Sequence, residues 1–329
     1  MSSREARRRP GVVAGVAGVA WLVGPVWVLV TRFDAVWHGH PAYLVVLALA
    51  VVVGLAMLSR AVWGRPRGAR PRSRRRTGGS VLGLALTLLL VAGIAWLRPY
   101  AADATAVAAL TGTPQVAVTQ DATTIRLAPT SLTADATKPA SGLIFQPGAR
   151  VDARAYVPLL TPLAQAGHPV VIVKQPCGIG FFALGAPERI ADSDASGRRW
   201  MVAGHSLGGV AAARAAASGD PRISGLGLWA SYPDGATTVP QQPVVSIYGT
   251  RDGLATPADV EAARSLLPAD TRHVPIEGGS HAYFGDYGAQ PGDGEPTIDR
   301  PAAQGQIVDA MLALLASRVR PDQTFLNPQ

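Results

Sequence analysis

The sequence has a single cysteine, Cys177, among its 329 residues. An intramolecular disulfide framework and a cysteine-rich zinc or iron–sulfur site are therefore excluded. No base that could activate Cys177 is identifiable near it, so we expect a small buried apolar residue rather than a nucleophile. Charged residues are also scarce, at 16%, whereas apolar residues reach 48%. This balance excludes disorder as the overall state of the chain.

Acidic residues are nearly absent from the first 98 positions, which hold only Glu5 and Asp34 but 14 of the 30 lysines and arginines. The net charge of this part is +12, and that of the remainder is −4. The formal charge of +8 therefore does not describe one basic surface, and no nucleic-acid partner is expected. The composition divides the chain into two parts near residue 98.

Long stretches without charge predict a membrane anchor over residues 1–98. Three of them predict transmembrane helices at about residues 11–31, 41–59 and 78–97, since about 20 apolar residues span the hydrocarbon core of a bilayer. The first stretch follows a basic tail, as in a signal peptide, but no clear small-residue cleavage site ends it. This favours a retained anchor.

The arginines predict the orientation of this anchor. Four lie in the N-terminal tail, and eight lie between Arg60 and Arg76, between the second and third stretches. By the positive-inside rule both segments are cytoplasmic, and three spans then place the rest of the chain outside the cytoplasm in a multi-pass protein of the cell membrane. We expect the arginine-rich loop to contact anionic membrane lipids.

Strands and helices are predicted to alternate in the second part. Residues 99–114 are rich in small residues and predict a tether, and residues 115–329 predict one domain. Short apolar runs predict strands at 116–119, 124–127, 142–146, 169–174, 199–203, 223–229, 243–248 and 272–276, with helices at 152–166, 210–217, 257–267 and 302–319. The alternation predicts an α/β fold, a mostly parallel sheet with helices on both faces. Ligands of such sheets bind at the carboxyl ends of the strands.

The segment Gly204–Gly209, with the sequence GHSLGG, lies between a predicted strand and a predicted helix. It is the G-x-S-x-G pattern in the strand–turn–helix context that this pattern requires. The turn lifts the hydroxyl of Ser206 above the sheet, and the glycines permit the close approach of neighbouring backbone. The helix that begins there directs N–H groups at developing negative charge. The segment therefore predicts a nucleophilic serine.

A serine nucleophile needs a base and an acid that orients the base. Asp252, in YGTRDG, and His281, in GGSH, each follow a predicted strand and occur in the order Ser–Asp–His. Both are therefore expected at carboxyl strand ends beside Ser206. Asp234, after the preceding strand, is the alternative acid.

The other histidines have less specific positions. His273 lies inside a predicted strand, His168 lies at a strand entry, and His205 occupies the variable position of the GHSLGG segment. His38 and His40 are predicted near the outer membrane surface and have no further metal ligands around them. We therefore expect neither a metal nor a cofactor.

These motifs together resemble the alpha/beta-hydrolase fold family, and most of all its short bacterial members without a cap domain. The resemblance covers Gly142 to about Leu314 and rests on FQPGARVDARAYVPLL, VVIVKQPCGI, GHSLGG, YGTRDGLATP and GGSHAYFGDYG. It implies that Ser206 is the nucleophile, His281 the general base and acid, and Asp252 the acid that orients His281.

The resemblance also implies an oxyanion hole formed by two backbone N–H groups. The first belongs to Leu207, directly after the nucleophile. The second belongs to the loop after strand 142–146, where Ala149 is favoured and Gly148 is the neighbouring option. This sequence departs from the family pattern in that loop, because it has Pro147 and Gly148 where many esterases have His-Gly or a run of glycines.

Aromatic residues near these motifs are candidates for substrate binding. Phe181, Phe182 and Tyr283 are predicted to form an apolar wall for the acyl group, and ordinary core packing is the alternative. Little sequence separates the strands at 223–229 and 243–248, where larger family members insert a lid. A site without a lid is open to water, which favours hydrolysis.

The sequence thus predicts a membrane-anchored serine hydrolase that cleaves small-molecule or lipid carboxylic esters through an acyl-enzyme. Three alternatives stay open. The same triad serves acyl transfer to another acceptor, and a non-catalytic binding module can keep the fold. In the third, the arginine-rich loop recruits partners.

Overall fold

The structure, a computed structural model, describes residues 9–63, 74–130 and 141–317, with side chains from residue 14 in the first range and from residue 82 in the second. The chain forms two compact units that divide between Pro99 and Tyr100. Most of the predicted arginine-rich loop and most of the N-terminal tail lie outside the described residues.

The described part of the first unit contains three helices. They are α1 (Arg9–Trp37), α2 (Ala42–Trp63) and α3 (Arg74–Trp96). Helices α1 and α2 approach closely at Gly18 and Gly54, because a Cβ atom built on either glycine would lie 3.0 Å from the carbonyl oxygen of the other. Small residues permit this close packing of apolar helices.

Within the described residues of the first unit, two helical segments, rather than the three predicted, have the length and composition of a membrane span. They are Ala14–Trp37 and Ala42–Trp63. The described apolar part of α3 is Leu82–Trp96, which covers about 22 Å at about 1.5 Å per residue and is shorter than the hydrocarbon core of about 30 Å. The prediction for residues 78–97 was based on the absence of charged residues. It therefore included small uncharged residues that precede the apolar segment. Signal sequences and core helices of soluble proteins share this length and composition.

The second unit is built on one eight-stranded sheet. Its strands are β1 (Val116–Gln120), β2 (Thr124–Pro129), β3 (Gly142–Gln146), β4 (Val170–Val173), β5 (Trp200–His205), β6 (Ile223–Trp229), β7 (Val244–Gly249) and β8 (Arg272–Ile276). Their order in the sheet is β1-β2-β4-β3-β5-β6-β7-β8. Strand β2 is antiparallel to β1 and β4, and β3 to β8 run parallel. The predicted α/β fold with a mostly parallel sheet is confirmed.

Helices cover both faces of this sheet. They are α4 (Ala104–Ala108), α5 (Val157–Gln165), α6 (Ala186–Asp192), α7 (Leu207–Ala216), α8 (Pro257–Ala262) and α9 (Arg300–Ala316). Side chains alternate along each strand, so Leu143 and Phe145 of β3 belong to the core beneath α5 and α9, and Ile144 belongs to the core beneath α6 and α7. Burial on both faces explains the continuous apolar runs in these strands.

Residues 100–114 differ from the tether expected there. The backbone of Tyr100 donates a hydrogen bond to the carbonyl of Arg150 (2.8 Å), and that of Asp103 donates to Asp286 (2.9 Å). Ala106, within α4, is fully buried. This segment is therefore packed into the second unit, because its small residues fit closely against the loops beneath it.

The candidate site residues follow the carboxyl ends of three strands in one half of the sheet. Ser206 follows β5, Asp252 follows β7 and His281 follows β8. Parallel strands present these ends at a single edge, where ligands of α/β sheets bind. The connection between β6 and β7, residues 230–243, contains no helix or strand, so no lid domain is inserted over this edge.

Candidate active site

Ser206 occupies a strained turn between β5 and α7. Its φ of 53° and ψ of −126° are unusual for a residue with a side chain. The surroundings hold this conformation, because its N–H donates to the carbonyl of Trp229 (2.9 Å) and its own carbonyl accepts from the hydroxyl of Ser231 (2.7 Å). The side chain is only partly buried. The turn therefore keeps the hydroxyl of Ser206 accessible above the sheet.

Gly204 and Gly208 of the GHSLGG segment lie so close to other backbone atoms that neither position has room for a side chain. A Cβ atom on Gly204 would lie 2.3 Å from the carbonyl carbon of Gly208, and one on Gly208 would lie 2.2 Å from the carbonyl oxygens of Gln146 and Pro147. No side chain fits at these distances. The second contact also brings the turn of Ser206 against the loop that follows β3.

Asp252 and His281 form a buried pair. The Nδ1 of His281 lies 2.8 Å from Oδ2 of Asp252, and their side chains are 1% and 0% exposed. Because a carboxylate only accepts, Nδ1 carries the hydrogen and Nε2 is left as the basic nitrogen. The other oxygen of Asp252 accepts from the N–H groups of Leu254 and Ala255, both at 2.8 Å. Asp252 is thus fixed in an orientation that holds the imidazole.

Asp293 supports this pair, and the sequence analysis does not identify it. Its carboxylate accepts from the backbone N–H groups of His281 (3.0 Å), Ala282 (2.8 Å) and Gly253 (3.3 Å). One carboxylate therefore joins the loop of Asp252 to the loop of His281. The sequence Gly-Asp-Gly around Asp293 is a weak signal for this role, since a short acid between glycines often accepts from neighbouring backbone.

The N–H groups expected to form an oxyanion hole differ in their availability. Gly148 donates its N–H to the hydroxyl of Tyr156 (2.9 Å) and is therefore already engaged. The N–H groups of Leu207 and Ala149 make no hydrogen bond to any residue that the structure describes. Both residues are partly exposed. Of the two predicted options for the second donor, the structure leaves Ala149 available.

Asp234, the alternative acid, lies elsewhere. It forms an ion pair with Arg214 (2.6 Å) on the surface, and its other oxygen accepts from the hydroxyl of Thr237 (2.6 Å). The Thr237 hydroxyl and the Arg214 guanidinium hold the pKa of Asp234 below its ordinary value. The structure therefore pairs Asp252, and not Asp234, with His281.

The aromatic residues predicted to bind substrate divide into two groups. Phe181 and Phe182 are 40% and 67% exposed, and the adjacent Gly180 lies against α7, where its Cβ would be 3.6 Å from the carbonyl oxygen of Leu207. Tyr283 instead packs against the core, with its ring 4.9 Å from the guanidinium of Arg300 on α9. The structure thus leaves the two phenylalanines exposed, with the ring of Phe181 5.2 Å from the guanidinium of Arg214 on α7, whereas Tyr283 is partly buried against the core.

The remaining candidates lie outside the site or are buried within it. Cys177 is buried, and burial raises the pKa of its thiol. His168 bonds through Nδ1 to the carbonyl of Ser141 (2.9 Å), and His273 lies in β8, where burial lowers its pKa. Among the described residues, no cluster of three or more histidine, cysteine or acidic residues is arranged to hold a metal ion.

His205 is fully buried next to Ser206 and has more contacts than its variable position in the motif suggests. Its Nδ1 lies 2.8 Å from the hydroxyl of Tyr156. Its ring lies 4.5 Å from that of His281 and stacks on that of Phe284 at 5.8 Å. Burial, together with the nearby His281, lowers the pKa of His205 well below its ordinary value. His205 is therefore a neutral residue beneath the site.

Residues 142–305 match the model of the alpha/beta hydrolase family. Several solved structures are similar. A putative dienelactone hydrolase from Klebsiella pneumoniae is 18% identical, with a TM-score of 0.46, over 59% of this chain and 92% of that one. A ferulic acid esterase from Streptomyces cinnamoneus is also 18% identical, with a TM-score of 0.47, over 63% and 85%.

An alpha-beta serine hydrolase homologue from Coxiella burnetii is 16% identical, with a TM-score of 0.44, over 62% of this chain and 98% of that one. No curated protein matches the sequence. Identities this low do not specify a substrate for this chain.

Proposed function

Residues 142–305 belong to the alpha/beta hydrolase family, and we propose that the chain is a serine hydrolase that cleaves carboxylic esters through an acyl-enzyme. The observation that carries this proposal is the buried pair of Asp252 and His281, 2.8 Å apart, at the same edge of the sheet as the strained turn of Ser206. A reactive serine needs such an oriented base.

In the proposed reaction, Oγ of Ser206 attacks the carbonyl carbon of the ester while Nε2 of His281 takes the hydroxyl proton. The carbonyl oxygen becomes an oxyanion that accepts from the N–H groups of Leu207 and Ala149. The tetrahedral intermediate then expels the alcohol, which receives the proton from His281. Water, deprotonated by His281, attacks the acyl-serine in the same way, and the acid leaves as Ser206 regains its proton.

The exposed phenylalanines support an apolar acyl group. Phe181 and Phe182 are among the few large apolar side chains exposed in the described part of the second unit, and they follow β4, two strands from Ser206 in the sheet. We propose that they contact the acyl chain of a small-molecule or lipid ester. The expected result is a preference for longer chains in a series of p-nitrophenyl esters, which Phe182→Ser reduces. An unchanged chain-length profile would contradict this role.

We also propose that the helices of the first unit anchor the protein in the cell membrane. Their uncharged segments of 24 and 22 residues support this. The arginine distribution supports an extracytoplasmic location of the second unit, which requires an odd number of crossings and therefore depends on α3. A C-terminal alkaline phosphatase fusion is expected to be active and a green fluorescent protein fusion dark. The reverse pattern would place the second unit in the cytoplasm.

Covalent labelling of the full chain in detergent tests the hydrolase proposal. A fluorophosphonate probe is expected to label the wild type, and Ser206→Ala is expected to lose both labelling and ester hydrolysis. Ser193→Ala, at the end of α6, is the matched control and should retain both. The proposal fails if the folded wild type is not labelled, or if Ser206→Ala is labelled equally well.

A further inference from the structure

A hydrogen-bonded group lies beneath the loop that follows β3. The N–H of Gly148 donates to Oη of Tyr156 over 2.9 Å, and this oxygen lies 2.8 Å from Nδ1 of His205. Tyr156 and His205 are both 0% exposed. Neither side chain takes part in the proposed proton transfers, so the group requires another explanation.

The chemistry of the donors determines the direction of these hydrogen bonds. A backbone N–H only donates, so Oη of Tyr156 accepts from Gly148. Among the described residues, Nδ1 of His205 is the acceptor within reach of the hydroxyl hydrogen, and in this role it is the unprotonated ring nitrogen. Burial raises the pKa of Tyr156 far above its ordinary value and lowers that of His205. Both groups therefore stay neutral, and the direction is kept throughout the neutral pH range.

The backbone of the loop is held on both sides of Ala149. On one side Gly148 is bonded to Tyr156, and on the other the N–H of Arg150 donates to the carbonyl of Gly178 over 2.7 Å. Arg150 has a positive φ of 62°. The N–H of Ala149, between these two, makes no hydrogen bond within the described part of the chain. The loop thus presents one free donor between two engaged ones.

His205 joins this loop to the serine turn. It is the last residue of β5 and directly precedes Ser206. A Cβ atom on Gly148 would lie 2.7 Å from its Nδ1, so the loop and the ring fit together only with glycine there. The ring also stacks on Phe284, which belongs to the short helical turn that begins at His281. His205 therefore packs against both the loop that follows β3 and the turn that begins at His281, and it adjoins Ser206 in the chain.

We propose that Tyr156 and His205 are positioning residues that hold the N–H of Ala149 toward the oxyanion. This role rests on the proposed hydrolysis. A donor stabilises a developing charge only if its geometry is set before the reaction. The Tyr156 hydroxyl fixes the backbone next to the Ala149 N–H, because it accepts from the N–H of Gly148. His205 directly precedes Ser206 in the chain, so its bond to Tyr156 also fixes the position of the Ala149 N–H relative to the Ser206 hydroxyl.

Tyr156→Phe in the full chain removes only the hydroxyl. Its kcat for ester hydrolysis is expected to fall about 10- to 100-fold, as for the partial loss of an oxyanion donor, while KM changes less than about twofold. The affinity for a boronic acid, which forms a tetrahedral adduct on serine, should fall in parallel. Tyr248→Phe is the matched control, because the Tyr248 hydroxyl makes no hydrogen bond to the described residues.

Substitutions at His205 provide a second test that does not depend on Tyr156→Phe. His205→Asn places an amide oxygen near the position of Nδ1 and should retain more activity than His205→Leu, which removes the acceptor. The double variant Tyr156→Phe/His205→Leu should lose no more than the more impaired single variant, since both changes break the same link. Thermal unfolding of each variant checks that it is folded at the assay temperature.

The outcomes separate the two proposals. Wild-type hydrolysis with an unchanged kcat in Tyr156→Phe, or multiplicative losses in the double variant, would overturn the positioning role alone. A wild type that neither hydrolyses esters nor reacts with a fluorophosphonate would overturn the proposed function and this role with it. A fall in kcat at constant KM, with partial rescue by His205→Asn, supports both.

Discussion

In each of the two units, the described residues include an aspartate and a histidine whose side chains lie within hydrogen-bond distance. Asp34 and His38, at the end of α1, are 2.9 Å apart with side chains 64% and 38% exposed. Asp252 and His281 are 2.8 Å apart with side chains 0% and 1% exposed. Distance alone therefore does not distinguish the two pairs.

Burial separates them physically. An exposed ion pair contributes little, because water and salt screen the charges and both side chains remain mobile. In the buried pair, Asp252 also accepts from two backbone N–H groups, and Asp293 holds the backbone of His281. The buried pair therefore keeps one orientation because further hydrogen bonds fix both Asp252 and the backbone of His281.

The largest effect is expected from removing the charge of the buried acid. Asp252→Asn should lower kcat about 10⁴-fold, because an amide no longer holds His281 in the required tautomer. Asp34→Asn, the matched change in the exposed pair, should leave kcat unchanged. Steady-state hydrolysis by both full-length variants measures this. Equal activities would remove the functional distinction between the two pairs.

Glycine substitutions compare the packing of the two units. Gly208→Ala places a Cβ 2.2 Å from two carbonyl oxygens and should lower kcat about 100-fold or more by displacing the serine turn from the oxyanion loop. Gly54→Ala, in α2, places a Cβ 2.8 Å from the side chain of Leu22 and 3.0 Å from the carbonyl oxygen of Gly18 in α1, so it should disturb helix packing in the first unit but leave kcat unchanged. Activity and thermal unfolding are measured together. A fully active Gly208→Ala would show that the turn tolerates displacement.

A smaller effect is expected from the support of the buried pair. Asp293→Ala removes the acceptor of the His281 and Ala282 N–H groups and should lower kcat roughly tenfold, with KM nearly unchanged. Asp299→Ala is the matched control, because it also removes a carboxylate that accepts from a backbone N–H group, in this case at the start of helix α9. It should lower the melting temperature without a comparable change in kcat. The opposite ranking of the two activities would contradict the role given to Asp293.

The smallest effect is expected at an exposed carboxylate. This carboxylate belongs to Asp121, and the small part of it that is withdrawn from water opposes its ionisation. Hydrogen bonds donated by Thr123 and Thr124 outweigh this effect and lower the pKa of Asp121 to about 2. A carboxylate with a lowered pKa stabilises the folded state above its unfolded pKa of about 3.9 and stops doing so as pH falls toward 2. Asp121→Ala should therefore lower the melting temperature by about 2–4 °C at pH 7. A difference that grows on acidification would contradict this.

Much of the fold was predictable, because its signals are local. Strands such as 142–146 and 223–229 have the predicted bounds, since nearly continuous apolar runs between turns are typical of strands buried on both faces. The third predicted membrane span, residues 78–97, has no counterpart of spanning length among the described residues. Absence of charge is a weaker signal for a span than a long run of apolar side chains, and the described apolar segment of α3, Leu82–Trp96, is only fifteen residues long.

The candidate site was predictable to the extent that its motifs are local. Ser206, Asp252 and His281 each lie in a turn directly after a strand, and the order of the chain relates them. Tyr283 shares this neighbourhood in the sequence, but its ring packs toward Arg300. Asp293 lies 12 residues from the histidine that it supports. Such contacts depend on how separate loops pack against each other, and a local sequence pattern does not predict this packing.

The sequence by itself determined the alternation of strands and helices, the division near residue 98 and the GHSLGG turn, because each depends on the types of neighbouring residues. The tertiary structure alone decided which acid pairs with His281, which loop N–H stays free, and what lies beneath Ser206. The physical reason is that these outcomes depend on burial and on contacts between distant segments. Tyr156 and His205 are 49 residues apart, and only the closed sheet and its covering helices bring them within hydrogen-bond distance.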